Sequence, residues 1–179
     1  MRTIRRLTPA DAAELTALRV ANRAYLSRWE PDADDPERWY RVDGVEAWIG
    51  DGNERFAIVE HGAIVGMVSL TGIELGAMQS AMISYFVAQA RSGRGLAGRA
   101  VEALVGHGFR ELGLHRIEAG TAVANAASHR VLEKNRFTRV GLLRRHLLLG
   151  GVWTDHYLWE RIDTDVSSTE SGENDRPDA

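Results

Sequence analysis

The chain turns from a predicted strand into a predicted helix at Ser92-Gly93-Arg94-Gly95-Leu96-Ala97-Gly98, which we call the glycine turn. Its glycines allow a sharp bend and leave backbone N–H groups uncovered by side chains. Together with the dipole of the following helix, those amides favour an anion such as a pyrophosphate. Arg94 adds a positive charge that suits a phosphate. Taken alone, the segment fits an ordinary helix-starting turn equally well.

The segments on both sides of the glycine turn predict an α/β fold. Upstream, residues 56–60, 63–70 and 81–87 have the composition of three strands in a meander. Downstream, apolar residues recur at helical spacing from Ala97 to Leu112. The remaining pattern predicts strands at 116–123, 137–142 and 153–162 and a helix at 125–134. The order predicts a mixed sheet with helices on both faces.

The N-terminal third predicts a short strand and two helices. Residues 3–7 have a strand pattern, and Thr8-Pro9 is a typical helix start. Helical spacing continues to Tyr25, and Trp29-Glu30-Pro31 ends that helix. A second helix is expected at residues 34–49.

The length of 179 residues indicates a single domain, which we place at residues 1–162. Residues 163–179 contain six acidic residues and one arginine, so we expect a disordered acidic tail. The chain's net charge is −3, which leaves about +2 on the domain. That charge is too small to predict a nucleic-acid partner.

Several function classes are disfavoured by what the sequence lacks. It contains no cysteine, so a thiolate metal site and an acyl-cysteine intermediate are excluded. The histidines show no metal-ligand spacing, and we expect no metal. It has no apolar run long enough to span a bilayer and no secretory signal. We therefore expect no membrane partner and a cytoplasmic location.

Residues 93–98 also match the dinucleotide-binding pattern GxGxxG, with Glu118 about 20 residues further on. A nicotinamide-dependent enzyme is therefore an alternative. Against it, a meander precedes the motif, Glu118 lies inside a strand pattern, and too little chain follows for a second nucleotide-binding half. A P-loop is excluded because the only lysine is Lys134.

Six segments follow one another along the chain in an informative order. They are Asn22-Arg23-Ala24-Tyr25-Leu26-Ser27-Arg28-Trp29-Glu30-Pro31, Ile83-Ser84-Tyr85-Phe86-Val87, Gly93-Arg94-Gly95-Leu96-Ala97, Leu114-His115-Arg116-Ile117-Glu118-Ala119, residues 125–134 and residues 151–156. In these segments and their order, the chain resembles the RimJ/RimL-type ribosomal-protein N-acetyltransferases of the GNAT superfamily over about residues 3–162. The resemblance implies the GNAT fold, a mixed and mostly antiparallel twisted sheet, with acetyl-CoA as cosubstrate.

The resemblance also implies how coenzyme A is held. Backbone groups of Phe86 and Val87 are expected to pair with the pantetheine arm. Asn125 is expected to contact that arm and Ser128 the sulfur; the alternative is that Asn125, a good N-cap residue by itself, only caps a helix. The pyrophosphate is expected on the amides of Gly93, Arg94, Gly95, Leu96, Ala97 and Gly98.

The implied reaction is direct attack of a neutral amine on the thioester within a ternary complex. The Val87 backbone N–H would stabilise the oxyanion, and Ser128 would protonate the thiolate. An acceptor slot is expected from Tyr25 and Trp29 with Arg23, because aromatic walls with one charge suit a short peptide or a small amine. The alternative for Trp29 is that it only fills the gap between the first two helices. Glu30 is a candidate for acceptor recognition or general base, and its alternative is a solvated acid in the turn.

Some positions depart from the family pattern. Ser92 replaces a common glutamine or arginine, so one phosphate contact is expected either to be weaker or to come from Arg91. Asn135 is expected to adopt the left-handed conformation at a helix exit. Val140 and Met82 stand where relatives often carry an acid, which leaves the general base unassigned.

The first expectation for the acceptor is a protein N-terminal α-amine. A small-molecule amine is the main alternative, because this fold serves many acceptors. A coenzyme A-binding module without activity is a further alternative, suggested by the missing acids. The chain is expected to be a monomer or a homodimer.

Overall fold

The computed structural model describes residues 3–32 and 34–164, which form one seven-stranded sheet in the order β1-β2-β3-β4-β5-β7-β6. All neighbouring strands pair antiparallel except β4 and β5, which are parallel. The strands are β1 Ile4–Arg6, β2 Glu54–Glu60, β3 Ala63–Glu74, β4 Ser80–Val87, β5 Arg116–Ala122, β6 Thr138–Leu149 and β7 Val152–Ile162.

Helices cover both faces of the sheet, as predicted. The N-terminal helices pack on one face around Leu15, Val45 and Met67. The fourth and fifth helices pack on the other face, where Leu104 and Leu132 are fully buried. The helices are α1 Ala12–Ala21, α2 Arg23–Leu26, α3 Val42–Ile49, α4 Leu96–Glu111 and α5 Ala126–Lys134. Short 3-10 helices occupy Pro9–Asp11, Pro36–Tyr40 and Gln89–Arg91.

The first predicted helix is divided, because Asn22 makes contacts that a continuous helix does not provide. Its side-chain nitrogen donates to the Leu18 carbonyl at 2.8 Å, and its Oδ1 accepts from the Gln89 backbone N–H at 2.9 Å. The junction of α1 and α2 is thereby tied to the loop that leads into the glycine turn. The second predicted helix is also divided, with extended backbone at Arg41.

The last two strands extend further than predicted and form a long hairpin. β6 is an edge strand with many exposed residues, so its apolar alternation is weak. Its pairing with β7 is irregular between Leu143 and Leu147, where Arg145 has a φ of 49°.

The expectation of left-handed backbone at Asn135 is wrong. Asn135 has a φ of −94°, and Arg136 has a φ of 61°. Asn135 is instead buried, where its side chain donates to the Val131 carbonyl and its carbonyl accepts from Arg161. Those contacts hold Asn135 in place, and the turn falls on the next residue.

Most of the predicted acidic tail lies outside the described residues. At the end of the described chain, the Asp163 backbone N–H donates to the His115 carbonyl at 2.9 Å. Within the described ranges, no helix is long and apolar enough to cross a membrane.

Candidate active site

A gap opens in the middle of the sheet where β4 and β5 separate. Their parallel pairing covers only residues 80–82 of β4, opposite residues 116–118 of β5. Beyond it, residues 83–87 pair with β3, and residues 119–122 pair with β7. The two strands therefore diverge toward their C-terminal ends, which leaves backbone groups of β4 available to a ligand.

Gly66 of β3 brings the neighbouring backbone close to this part of β4. A Cβ at Gly66 would lie 2.2 Å from the Phe86 carbonyl oxygen and 2.9 Å from the Val87 Cα. Such a clash with backbone atoms would force the strands apart. Gly66 thus allows the close backbone approach that positions Phe86 and Val87 beside the gap.

One cavity of about 700 Å³ runs along the gap and is lined from both faces of the sheet. At one end lie Ser92 and most of the glycine turn, together with Asn125 and Ser128 of α5. At the other end lie side chains from α1 and α3 and the connection between them. We call these ends the cofactor half and the acceptor half.

The glycine turn adopts the strand-to-helix geometry predicted from its sequence. Gly93 and Gly95 have φ values of 77° and 72°, a left-handed conformation that favours glycine. Gly95 is the N-cap of α4, so the first amides of that helix remain free of intrahelical partners. Gly93, Gly95, Leu96, Ala97 and Gly98 line the cavity.

Arg94 is placed differently from its neighbours in the turn. It does not line the cavity; its side chain is about half exposed and lies 4.0 Å from Glu60. Arg91 does line the cavity, with its guanidinium 3.3 Å from the same carboxylate. Arg91 is therefore the better placed of the two to meet an anion in the cofactor half.

Asn125 and Ser128 are brought together at the start of α5. The Asn125 Oδ1 accepts from the Ser128 backbone N–H at 3.1 Å, so the capping interpretation is correct. The Nδ2 group of Asn125 donates to no acceptor among residues 3–32 and 34–164. The cap therefore leaves the Nδ2 group of this cavity-lining residue free to donate to a ligand.

Tyr85 of β4 was missed by sequence reasoning, although its segment was quoted. Its hydroxyl lies 2.7 Å from the Ser128 Oγ. Burial raises the pKa of the Tyr85 phenol to about 12, although the hydrogen bond with Ser128 opposes this shift. Tyr85 therefore stays protonated near neutral pH and can share a proton with Ser128.

Glu30 lies in the acceptor half and is not a solvated turn residue. Its Oε1 accepts from Arg19 at 2.5 Å, and its Oε2 accepts from the Tyr40 hydroxyl at 3.0 Å. Burial and the negative charge of Glu30 raise the pKa of Tyr40, which keeps that hydroxyl a donor. Both carboxylate oxygens are thus engaged within the protein.

The other predicted acceptor residues divide into two groups. Tyr25 and Trp29 line the cavity, and the Tyr25 hydroxyl lies 3.4 Å from the Ser92 Oγ. Arg23 does not line it, because its exposed guanidinium pairs with Glu37 and stacks on Tyr40. The structure therefore does not bring Arg23 into the slot expected for it.

Much of the acceptor half comes from residues that sequence reasoning did not single out. Arg19 follows Leu15 by four residues on the buried face of α1, and an arginine on such an apolar stripe is the signal that was available. Arg55 similarly occupies an inward position of β2. The additional lining residues of this half include Arg19, Asp32, Arg38, Trp39, Trp48, Arg55, Met67, Thr71 and Ser84.

The two residues that occupy the positions where relatives often carry an acid, Val140 and Met82, do not point to another general base. Val140 is 52% exposed on the edge strand and Met82 is 37% exposed, and neither lines the cavity. Among the described residues, no group of three or more histidine, cysteine or acidic side chains is arranged to hold a metal ion.

The sequence matches the model of a protein family, the acetyltransferase (GNAT) domain, over residues 2–138. The chain belongs to the GNAT acetyltransferase family. The seven-stranded mixed sheet is that family's fold, which confirms the predicted fold class. The alternative of a nicotinamide-dependent enzyme is set aside, because the GxGxxG pattern lies within the GNAT match.

Named relatives point the same way. The chain is 36% identical to the probable N-acetyltransferase YjcK of Bacillus subtilis over 173 residues, 90% of this chain and 94% of the relative. It is 26% identical to the [ribosomal protein uS5]-alanine N-acetyltransferase of Escherichia coli over 163 residues, 87% of this chain and 84% of the relative.

A solved structure extends the likeness to three dimensions. Mycobacterium smegmatis RimJ in complex with CoA-disulfide superposes with a TM-score of 0.84 at 30% identity, covering 91% of this chain and 82% of that one. The predicted resemblance to RimJ/RimL-type enzymes is confirmed. The family match and the named N-acetyltransferase relatives together identify this GNAT protein as an acetyl-CoA-dependent N-acetyltransferase.

Proposed function

We propose that this GNAT enzyme acetylates the α-amine of a protein N-terminus. The observation that carries the proposal is that the same cavity is lined by the glycine turn and by the aromatic acceptor half, beside the gap between β4 and β5. An extended peptide end can enter such a passage and bring its terminal nitrogen to the gap. The relative that acetylates an alanine of ribosomal protein uS5 supports the same class of acceptor.

The residues of the cofactor half suit coenzyme A, which supplies the acetyl group as a thioester. Backbone groups of Phe86 and Val87 stand at the unpaired edge of β4, available to the amides of the pantetheine arm. The glycine turn presents free helix N-terminal amides to the pyrophosphate. Arg91, Arg130 and Lys134 line the same half and offer positive charge to the phosphates.

The amine must lose its proton before it attacks, because an ammonium has no free electron pair. Glu30 is an unfavourable general base, since Arg19 and Tyr40 already hold both of its oxygens. We propose that Glu30 instead fixes the walls of the acceptor half. The proton then leaves through water and backbone carbonyls, and no dedicated carboxylate sets the pH dependence.

The attack forms a new C–N bond, converts the carbonyl oxygen to an oxyanion and then breaks the C–S bond. The Val87 backbone N–H is proposed to donate to the oxyanion. Ser128 is proposed to protonate the departing thiolate and to regain a proton from water, and Tyr85 supports it through the 2.7 Å contact between their hydroxyl groups. The chain has no cysteine, which agrees with direct transfer to the amine.

The proposal is tested by measuring thiol release from acetyl-CoA in the presence of matched acceptors. Peptides with a free N-terminal alanine or serine should react, and the same peptides with a blocked α-amine should not. Trp29→Ala should raise the acceptor KM more than the acetyl-CoA KM, because Trp29 lines the acceptor half. Activity confined to small amines, or equal activity on internal lysines, would contradict the proposal.

A further inference from the structure

Two tryptophans and three arginines form a stacked wall on one side of the acceptor half. The Arg38 guanidinium lies 4.5 Å from the Trp39 ring centroid, and Trp39 meets Trp48 edge to face at 5.5 Å. The Arg55 guanidinium lies 3.7 Å from the Trp48 ring, and Arg19 lies 5.1 Å from that of Trp39. We call these five residues the arginine–tryptophan wall.

The three arginines of the wall differ in how their charges are balanced. Arg19 pairs with Glu30, and Arg55 makes a two-point pair with Asp51. Arg38 has no acidic partner within the described ranges 3–32 and 34–164, although its side chain lines the cavity. Of the three guanidinium groups in the wall, that of Arg38 therefore carries the positive charge that is available to a ligand.

The wall also holds a hydrogen-bond donor that the protein does not use. Arg55 is only 3% exposed, and its Nη1 is a buried atom without a hydrogen-bond partner among the described residues. Buried polar groups in folded proteins nearly always have a partner. This nitrogen is closed off from solvent and Arg19 is also buried, so the exposed guanidinium of the wall is that of Arg38.

We propose that the arginine–tryptophan wall binds a carboxylate carried by the amine acceptor, with Arg38 as its direct contact. A guanidinium that lies over an indole ring still has N–H groups free to donate to the two oxygens of a carboxylate. The acceptor is thus an amine that bears an acid. The acid is either a side chain in the first few residues of a peptide or the α-carboxylate of an amino acid. This inference rests on the proposed amine acetylation.

Binding and turnover are measured separately with paired acceptors that differ only in the acid. Serine-initiated peptides with glutamate or glutamine at the second position test the side-chain source. Free alanine and alaninamide test the α-carboxylate. Binding is measured by calorimetry in the presence of coenzyme A, which carries no acetyl group, and turnover is measured by thiol release from acetyl-CoA.

We expect the acidic member of at least one pair to bind about 10- to 100-fold more tightly, as a charge-assisted contact would give. In Arg38→Gln the preference should fall to near unity, and Arg38→Lys should keep part of it. Arg110→Gln, which removes an exposed guanidinium on α4, is the matched control and should keep the full preference. Arg38 is exposed, so its variants should fold.

The outcomes separate this inference from the function on which it rests. If neither pair shows a preference for the acid, or if the preference survives Arg38→Gln, the carboxylate site is refuted even where both acceptors are acetylated. If the acidic acceptor binds more tightly through Arg38 but no acceptor is acetylated, the site stands and the proposed function is wrong.

Discussion

The contact between Tyr85 and Ser128 allows the proposed proton donor to be tested by a double-mutant cycle. Ser128→Ala should lower kcat by about 10- to 100-fold, the lower range for an acid contribution, because water can partly replace the hydroxyl. Tyr85→Phe removes one neutral hydrogen bond of 2.7 Å to the serine. Such a bond contributes about 1 kcal/mol, which corresponds to about a fivefold loss of kcat.

The double variant should be no slower than Ser128→Ala alone, because Tyr85 acts through the serine. The coupling free energy should therefore be about 1 kcal/mol. The acetyl-CoA KM should change little in all three variants, since the glycine turn and the edge of β4 remain intact. Steady-state kinetics with a reactive N-terminal peptide provide the assay, and thermal unfolding confirms that each variant is folded.

Tyr157→Phe is the matched control, because it removes a phenol hydroxyl from a half-buried tyrosine that does not line the cavity. It should leave kcat unchanged. Fully additive losses in the double variant would show that Tyr85 acts independently of Ser128. Parent-level activity in Ser128→Ala would show that the thiolate leaves without assistance, and the proposed role of the serine would be wrong.

Three further predictions follow from the cavity and from the N-terminal ion pair. Gly95→Glu should abolish the increase in Tm that coenzyme A produces, because it places an anion in the glycine turn, whereas Gly76→Glu in an open loop should not. The rate should rise with pH through a single ionisation and level off near the pKa of the acceptor amine. Glu30→Gln should keep that profile. A bell-shaped profile that flattens in Glu30→Gln would show instead that Glu30 is the general base. The hydrogen bond with Arg5 lowers the pKa of Asp11 from 3.8 to about 2. A carboxyl group whose pKa is lower in the folded state stabilises the fold at pH values above its unfolded-state pKa. Asp11→Asn should therefore lower the free energy of unfolding by about 2 kcal/mol at pH 7, and this loss should disappear as the pH falls from 4 to 2. An undiminished difference at pH 2 would contradict this assignment.

Local sequence patterns predicted the elements of this fold well where each pattern is complete within one segment. The glycine turn is an example, because a strand, two residues with left-handed backbone and a helix start follow one another directly. The Asn125 cap is equally local, since it joins residues three positions apart. Collinear family motifs then predicted the fold as a whole and the enzyme class.

Predictions failed where distant contacts override a local pattern. The helix through Asn22 is divided because that side chain binds the backbone of Gln89, 67 residues away. The left-handed position falls on Arg136 because Asn135 is buried and its carbonyl accepts a tertiary hydrogen bond from Arg161, in addition to the local bond from its side chain to Val131. In each case a nonlocal contact supplies free energy that local preference does not include.

The sequence by itself determined that the chain builds a GNAT sheet, carries a turn for an anion at the start of α4 and places Ser128 one helical turn after Asn125. The tertiary structure alone decided where β4 and β5 separate, because pairing register depends on both strands and on Gly66 between their neighbours. It also decided which charges remain unpaired. Arg38 and Arg55 come from different segments, and only folding places them on one wall. Among residues 3–32 and 34–164, folding gives an acidic partner to Arg55 but none to Arg38.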